Sequence, residues 1–297
     1  MSLNTFMQHL SNGLALGSLY ALIAIGYTMV YGILRLINFA HGDIFMISTY
    51  IIFYSVTLFL MPWWVAFVVA ILLTGAFGIL VERLAYRSLR NSPKISVMIS
   101  AIGASYLIQN LAIVIFGGRP KAFPIPEFFN KVVYVNTISI PVANFFIPGI
   151  TMAALVILLY IVNKTKTGMA MRAVSRDYEA ARLMGINVDT IISITFFMGS
   201  ILAALGGMMW GIKYPNLIPL MGLMPGLKAF IAAVIGGIGN IKGAVVGGFL
   251  LGMSEIMLIA FLPSMTGYRD AFAFVILIVI LLIKPSGLLG ENLAEKV

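Results

Sequence analysis

Apolar runs of roughly 15–25 residues recur along this chain, each about the length that a helix needs to cross the hydrocarbon layer of a bilayer. They fall at about 10–34, 43–60, 63–81, 95–116, 147–163, 190–212, 226–240, 244–262 and 270–283. With 61% hydrophobic residues, 10% charged residues and a mean hydropathy of +1.05, one soluble core cannot absorb them. The sequence therefore predicts an all-α, polytopic membrane bundle of eight to nine spans that uses the whole chain, 1–297, as a single transmembrane domain. Nothing is left over for a soluble domain.

The net charge of +9 is read as orientation before it is read as a partner preference. The basic stretches "ERLAYRSLRNSPK" (Glu82 to Lys94) and "NKTKTGMAMRAVSRDYEAARLMGINVD" (Asn163 to Asp189) are separated by two spans, so both belong on one face. Calling that face cytoplasmic puts thirteen of the nineteen Lys and Arg residues inside. It also places the N-terminus outside and the terminal "KPSGLLGENLAEKV" in the cytoplasm. A nucleic-acid partner is excluded, and membrane lipid is the surroundings. The chain has no cysteine and only two histidines, His9 and His41, which argues against a zinc centre or a catalytic cluster. The first apolar run lacks a positive n-region and reads as an uncleaved span.

Three segments break the apolar pattern. "RLINFAHGD" (Arg35 to Asp43) sets charged and polar residues between two spans. The segment 117–146 holds four of the twelve prolines among strand-like stretches and predicts a compact external loop. The segment 164–189 predicts a cytoplasmic loop with a short helix, in which Ser175 caps, Asp177 and Glu179 occupy the first turn, Arg182 follows Glu179 at i+3, and Gly185 takes the left-handed position after the last turn. No phosphate-binding Gly-x-x-x-x-Gly-Lys-Ser/Thr loop occurs, so any ATP is hydrolysed on another chain.

Glu179-Ala180-Ala181-x-x-x-Gly185 matches the core of the coupling loop of ABC importer permeases. Together with "LYALIAIGYTMVYGILRLINFAHGD", "AIGASYLIQNLAIVIFG", "GLKAFIAAVIGGIGNIKGAVVGGFLLG" and "KPSGLLG", it makes nearly the whole chain resemble the LivH-type permease of branched-chain amino-acid ABC importers. One departure is that "NVDTIISITFFMGS" lacks the proline with which the general importer motif continues. The resemblance implies a multi-pass permease of a bacterial or archaeal cytoplasmic (inner) membrane that passes leucine, isoleucine and valine. It also implies a second, LivM-like permease, two ATPase subunits that hold ATP and Mg, and an external substrate-binding protein. No cofactor is implied on this chain. Related permeases move other amino acids, urea or short amides, and those cargoes remain open.

Within that frame, a helix over 175–184 would dock in the ATPase, with Arg172, Arg176, Glu179 and Arg182 as polar contacts and Ala180, Ala181, Leu183 and Met184 as apolar ones. Asn38 to Asp43 has two readings. One is a turn in which Asn38 and Asp43 cap the next helix; the other is a discontinuous helix lining the path, with Asn38, His41 and Asp43 bonding backbone or a passing zwitterion. Gly239, Gly243 and Gly247, and likewise Gly248 and Gly252, are spaced by four and suit close helix packing. Lys228 and Glu255 fall in or near these spans and call for mutual pairing or a wet cavity. An ion-coupled secondary transporter would not account for the coupling-loop motif, and a passive channel has no filter-like repeat here.

Overall fold

The computed structural model describes residues 3–90, 92–135 and 138–290; part of the terminal segment read above as cytoplasmic, 291–297, lies outside them. The described residues form α1 (Leu3–Leu34), α2 (His41–Thr57), α3 (Trp63–Val81), α4 (Lys94–Phe116), α5 (Ala143–Lys164), α6 (Lys166–Arg176), α7 (Tyr178–Leu183), α8 (Val188–Lys213), α9 (Leu223–Gly236), α10 (Ile241–Phe261) and α11 (Arg269–Ile283). Each apolar run becomes a helix. Among the described residues, seven helical segments are long and apolar enough to cross a membrane, the last being α11 together with the 3-10 turn before it, Pro263–Ile283. The other two runs are shorter: α2 has 17 residues and α9 has 14. At 1.5 Å per residue they reach about 25 and 21 Å, short of the roughly 30 Å hydrocarbon layer.

The bundle is built around α1, whose residues from Ala15 to Val30 are almost all buried. A helix with no polar stripe, surrounded on all sides, belongs at the centre of a bundle. It packs on α10 through small residues. A Cβ added at Gly252 would lie 2.4 Å from Gly17 Cα, and one at Gly248 would lie 2.6 Å from Ala21 Cα. The two backbones are thus in direct contact, and dispersion between them replaces side-chain interdigitation. Another face of α10 meets α9, where a Cβ at Gly247 would lie 2.0 Å from the Ala232 carbonyl oxygen. Gly243 does the same against Gly236, at 2.3 Å. Gly239 does not share this face: it sits in the turn before α10 with φ +95, where Asn240 caps the helix by accepting from Gly243 N at 3.1 Å.

At the end of the bundle where α1 begins, β2 (Val132–Val135) and β3 (Ile138–Pro141) form an antiparallel hairpin. β1 (Lys121–Ala122), after α4, pairs with β4 (Asn216–Leu217), before α9. The indole of Trp63 donates to the Pro124 carbonyl at 3.4 Å and ties this layer to α3, while Trp64 is exposed. Lys213, at the end of α8, donates to Asn12 at 3.0 Å and also to Asn144, joining α8 to α1 and α5.

The opposite end carries α6 and α7. Here the helix predicted from Ser175 is two helices. Ser175 lies inside α6, which starts at a Thr165 cap, and its hydroxyl donates back to the Arg172 carbonyl. The cap of α7 is Asp177, which accepts from Glu179 N at 2.9 Å and Ala180 N at 3.0 Å. The end of α7 is a Schellman turn: Gly185 has φ +81, Gly185 N donates to Arg182 O, and Ile186 N donates to Ala181 O. Glu179 and Arg182 form no ion pair with each other among the described residues.

The α1–α10 contact makes a sharp prediction. Gly252→Val should destabilise the purified protein by about 1–3 kcal/mol or more through overpacking, whereas Gly103→Val, with nothing within 4 Å of its Cβ, should leave the detergent melting temperature unchanged.

Candidate functional site

The two short helices start inside the bundle. After α1 ends at Leu34, Arg35 takes φ 52 and the chain turns back along α1. By His41 it has returned to Gly26, whose Cβ would lie 2.5 Å from the imidazole Nε2. Gly26 is eight residues before the end of α1, so the re-entrant segment climbs about 12 Å. The start of α9 meets it: a Cβ at Gly222 would lie 2.0 Å from the Gly42 carbonyl oxygen, and one at Gly226 would lie 2.8 Å from Gly42 Cα. The first turns of α2 and α9 therefore touch, glycine against glycine, at the depth of Gly26.

Beside this contact is a half-enclosed cavity of about 220 Å³ bounded by α1, α2, α4 and α9. Its polar lining includes Asp43, Ser105, Gln109, Tyr27 and Tyr106, and its apolar lining includes Ile102, Leu227 and Phe230. Asp43 accepts from Ser105 at 2.5 Å and from Gln109 at 3.0 Å, and Gln109 donates to Ser105 at 3.1 Å. Ser105 and Gln109 are one turn apart on α4, so both reach the same carboxylate. The residue at the cap position of α2 is Ala40, which has no side-chain cap. Asp43 is thus committed to α4 and does not close its own helix end.

Of the three residues picked out in "RLINFAHGD", Asp43 alone lines the cavity. Asn38 is buried and accepts from the Tyr86 hydroxyl at 3.0 Å. His41 is also buried and lies against the Tyr27 ring, centroids 4.6 Å apart, in the space left by Gly26. Sequence reading missed Tyr27, Ser105, Gln109 and Phe230. Two polar residues spaced by four inside the apolar run of α4 were the available signal.

Tyr86 belongs to a π-turn, Glu82–Tyr86, that continues α3. Glu82 in the same turn is fully buried; Arg90 pairs with it and Ser193 donates to it at 2.8 Å. Arg90 also pairs with Asp189 at the start of α8. Tyr178, at the start of α7, donates to the Ile33 carbonyl in the last turn of α1. Polar contacts thus run from Asp189 at the start of α8 through Arg90 to Glu82, and from Tyr86, in the same π-turn as Glu82, to Asn38. Around them, Arg172, Arg176, Glu179, Ala180, Arg182, Leu183, Met184 and Gly185 are exposed. Ala181 is not: it is buried in the core, which removes it from the surface contacts predicted for this helix. Arg172 donates to the Val162 carbonyl at the end of α5.

A second polar cluster joins α9, α10 and α11. Lys228 pairs with Glu255 at 2.7 Å and Asp270 at 2.6 Å, and Tyr20 donates to Glu255 at 2.9 Å. Both members of the Lys228–Glu255 pair are buried, and charges at such depth persist only when matched.

A bundle of membrane-length helices, interrupted where two short helices meet beside a polar cavity, is the architecture of a polytopic transport protein. Comparison with known proteins makes the class specific: residues 9–281 match the model of the branched-chain amino acid transport system permease component, and the chain belongs to that family. It is 42% identical to the high-affinity branched-chain amino acid transport system permease protein LivH of Escherichia coli (strain K12), over 98% of both chains. It is 41% identical to the corresponding permease protein BraD of Pseudomonas aeruginosa, again over 98% of both. Among solved structures, PsaBC from Streptococcus pneumoniae in complex with Fab shares the fold, with a TM-score of 0.51 at 15% identity over 94% of this chain and 92% of that one. The chain is thus a transport permease component and not an enzyme.

Arg90 supplies the paired cation of a fully buried carboxylate. Arg90→Ala should therefore destabilise the protein by about 3–5 kcal/mol, and Arg90→Met combined with Glu82→Gln by much less, because no uncompensated charge remains. Thermal unfolding of the two variants side by side gives the comparison.

Proposed function

We infer that this chain is one permease subunit of an ATP-driven importer that carries leucine, isoleucine and valine across a cytoplasmic membrane, past the cavity beside the first turns of α2 and α9. The observation that carries this reading is the meeting of two part-length helices at a buried carboxylate, in a chain of the branched-chain amino acid permease family. Interrupted helices with polar groups at mid-bundle are how membrane transporters expose backbone and charge to a passing solute.

The end of the bundle bearing α6 and α7 is assigned to the cytoplasm and the N-terminus, with the 117–146 loop, to the outside. In support, Arg83, Arg87, Arg90 and Lys94 cluster at the α6–α7 end with Lys164, Lys166, Arg172, Arg176 and Arg182. The partners are a second, LivM-like permease, two ATPase subunits that bind ATP and Mg, and an external binding protein that delivers the amino acid. The α6–α7 segment, 164–189 with its flanks, serves as the coupling loop. Leu183 and Met184, 88% and 83% exposed, offer apolar contacts to an ATPase groove, and Arg172, Arg176, Glu179 and Arg182 offer polar ones. The Tyr178–Ile33 bond and the π-turn, which holds Arg90 through Glu82 and Asn38 through Tyr86, then carry movement of that loop to the re-entrant segment.

ATP-dependent uptake of L-leucine into vesicles holding all the subunits tests the reading, with urea as the competing cargo. Asp43→Ala should lower uptake at least about tenfold, the loss of charge-assisted bonds, with assembly intact. His41→Ala should mainly lower stability. Gly185→Leu strains a left-handed position and should reduce coupling of ATP hydrolysis to uptake. Leucine uptake at the wild-type level in Asp43→Ala would overturn the path, and uptake of urea alone would overturn the cargo.

A further inference from the structure

A second cavity, of about 260 Å³, lies between α1, α8, α9 and α10. It and the Asp43 cavity are lined by different residues of one α9 turn: Leu223 and Gly226 face the Asp43 cavity, and Met224 and Pro225 face this one. Its walls carry both signs of charge, the buried Lys228 and Glu255, with Arg269 at the rim. Arg269 is about half exposed and sits 3.7 Å from both Glu255 and Asp270, beyond a direct hydrogen bond to either. The remaining wall is apolar and includes Trp210, Met224 and Ile256.

We propose that this cavity is a station for the zwitterionic head of a neutral, apolar amino acid, with the ammonium on Glu255, the carboxylate on Arg269 and Lys228, and the aliphatic side chain against Trp210, Met224 and Ile256. It rests on the importer reading and adds a site above the Asp43 cavity, on the side of the bundle where α11 begins.

Four physical points carry it. The four charged groups, Lys228, Arg269, Glu255 and Asp270, sum to zero, so a zwitterion enters without leaving net charge in a low-dielectric site. A lysine or glutamate side chain would bring an unmatched charge against the apolar wall, which disfavours those amino acids. The ligand exchanges one ion pair for two similar ones, so binding is weak and reversible, as a transit site requires. The shared α9 turn supplies a route for displacement from this cavity to the next.

The test uses the assembled transporter in detergent, with Trp63→Phe and Trp64→Phe so that Trp210 is the remaining tryptophan of this chain, and subtracts the signal of the same assembly carrying Trp210→Phe, which cancels the tryptophans of the partner subunits. L-Leucine should change Trp210 fluorescence saturably, and L-leucinamide, which lacks the carboxylate, should need about tenfold more. In Arg269→Gln that gap should narrow as leucine weakens, with Lys228 still holding the carboxylate, while melting temperature stays unchanged. A charge-neutral pair, Lys228→Met with Glu255→Gln, should abolish the response. Equal responses to leucine and leucinamide, or an unchanged gap in Arg269→Gln, would overturn the station. If the transporter takes up leucine under ATP yet shows no such response, this site alone fails; if it takes up no branched-chain amino acid, the importer reading fails.

Discussion

A helix that begins inside a membrane bundle leaves its first N–H groups without helical partners, and the organisation of this chain depends on how α2 and α9 meet that cost. Each uses local backbone. In α2, His41 N donates to Asn38 O and Asp43 N to Ala40 O. In α9, Leu223 N donates to Leu220 O, and Pro225 in the first turn has no N–H to satisfy. Glycines at 42, 222 and 226 then bring the two starts together closely enough to screen one another from lipid. With side chains at those positions the helix starts would be pushed apart and their backbone exposed.

The remainder of the bundle holds that junction in place. The buried α1 and its glycine contacts with α10 form a closely packed centre, and the segment after α11 returns to close α9, with Leu288 N and Leu289 N donating to the carbonyls of Ile235 and Gly236. On the other side α4 contributes little core but supplies Ser105 and Gln109 to Asp43. The site thus lies between the closely packed α1–α10 centre and the less buried α4.

The helices were legible because apolar runs of membrane length leave few alternatives, and the break at Arg35 to Asp43 was legible because polar residues interrupt such a run. The depth at which α2 and α9 start was not: hydropathy records where a run is apolar and how long it is, and it does not record where in the bundle a helix begins. The pairings of Asp43 with Ser105 and Gln109, of Asn38 with Tyr86, and of Glu82 with Arg90 and Ser193 span up to 111 residues and arise only on packing. Ser175 and Asp177 were both good cap residues by type. Asp177 prevailed because α6, capped at Thr165, runs through Ser175 and ends just before it.

On the importer reading, the junction of α2 and α9 borders a water-filled path whose opening changes as the partner subunits hydrolyse ATP. The chain has no cysteine, so single cysteines at Ile102 and Leu223, which line the cavity, and at the exposed Leu111 report it without interference. Labelling by a membrane-impermeant maleimide in the assembled transporter, with and without nucleotide trapping, is the direct measurement. The account predicts that Ile102→Cys and Leu223→Cys label at rates that change on trapping, while Leu111→Cys stays unlabelled. Cavity positions that never label, or that label equally in both states, would contradict it.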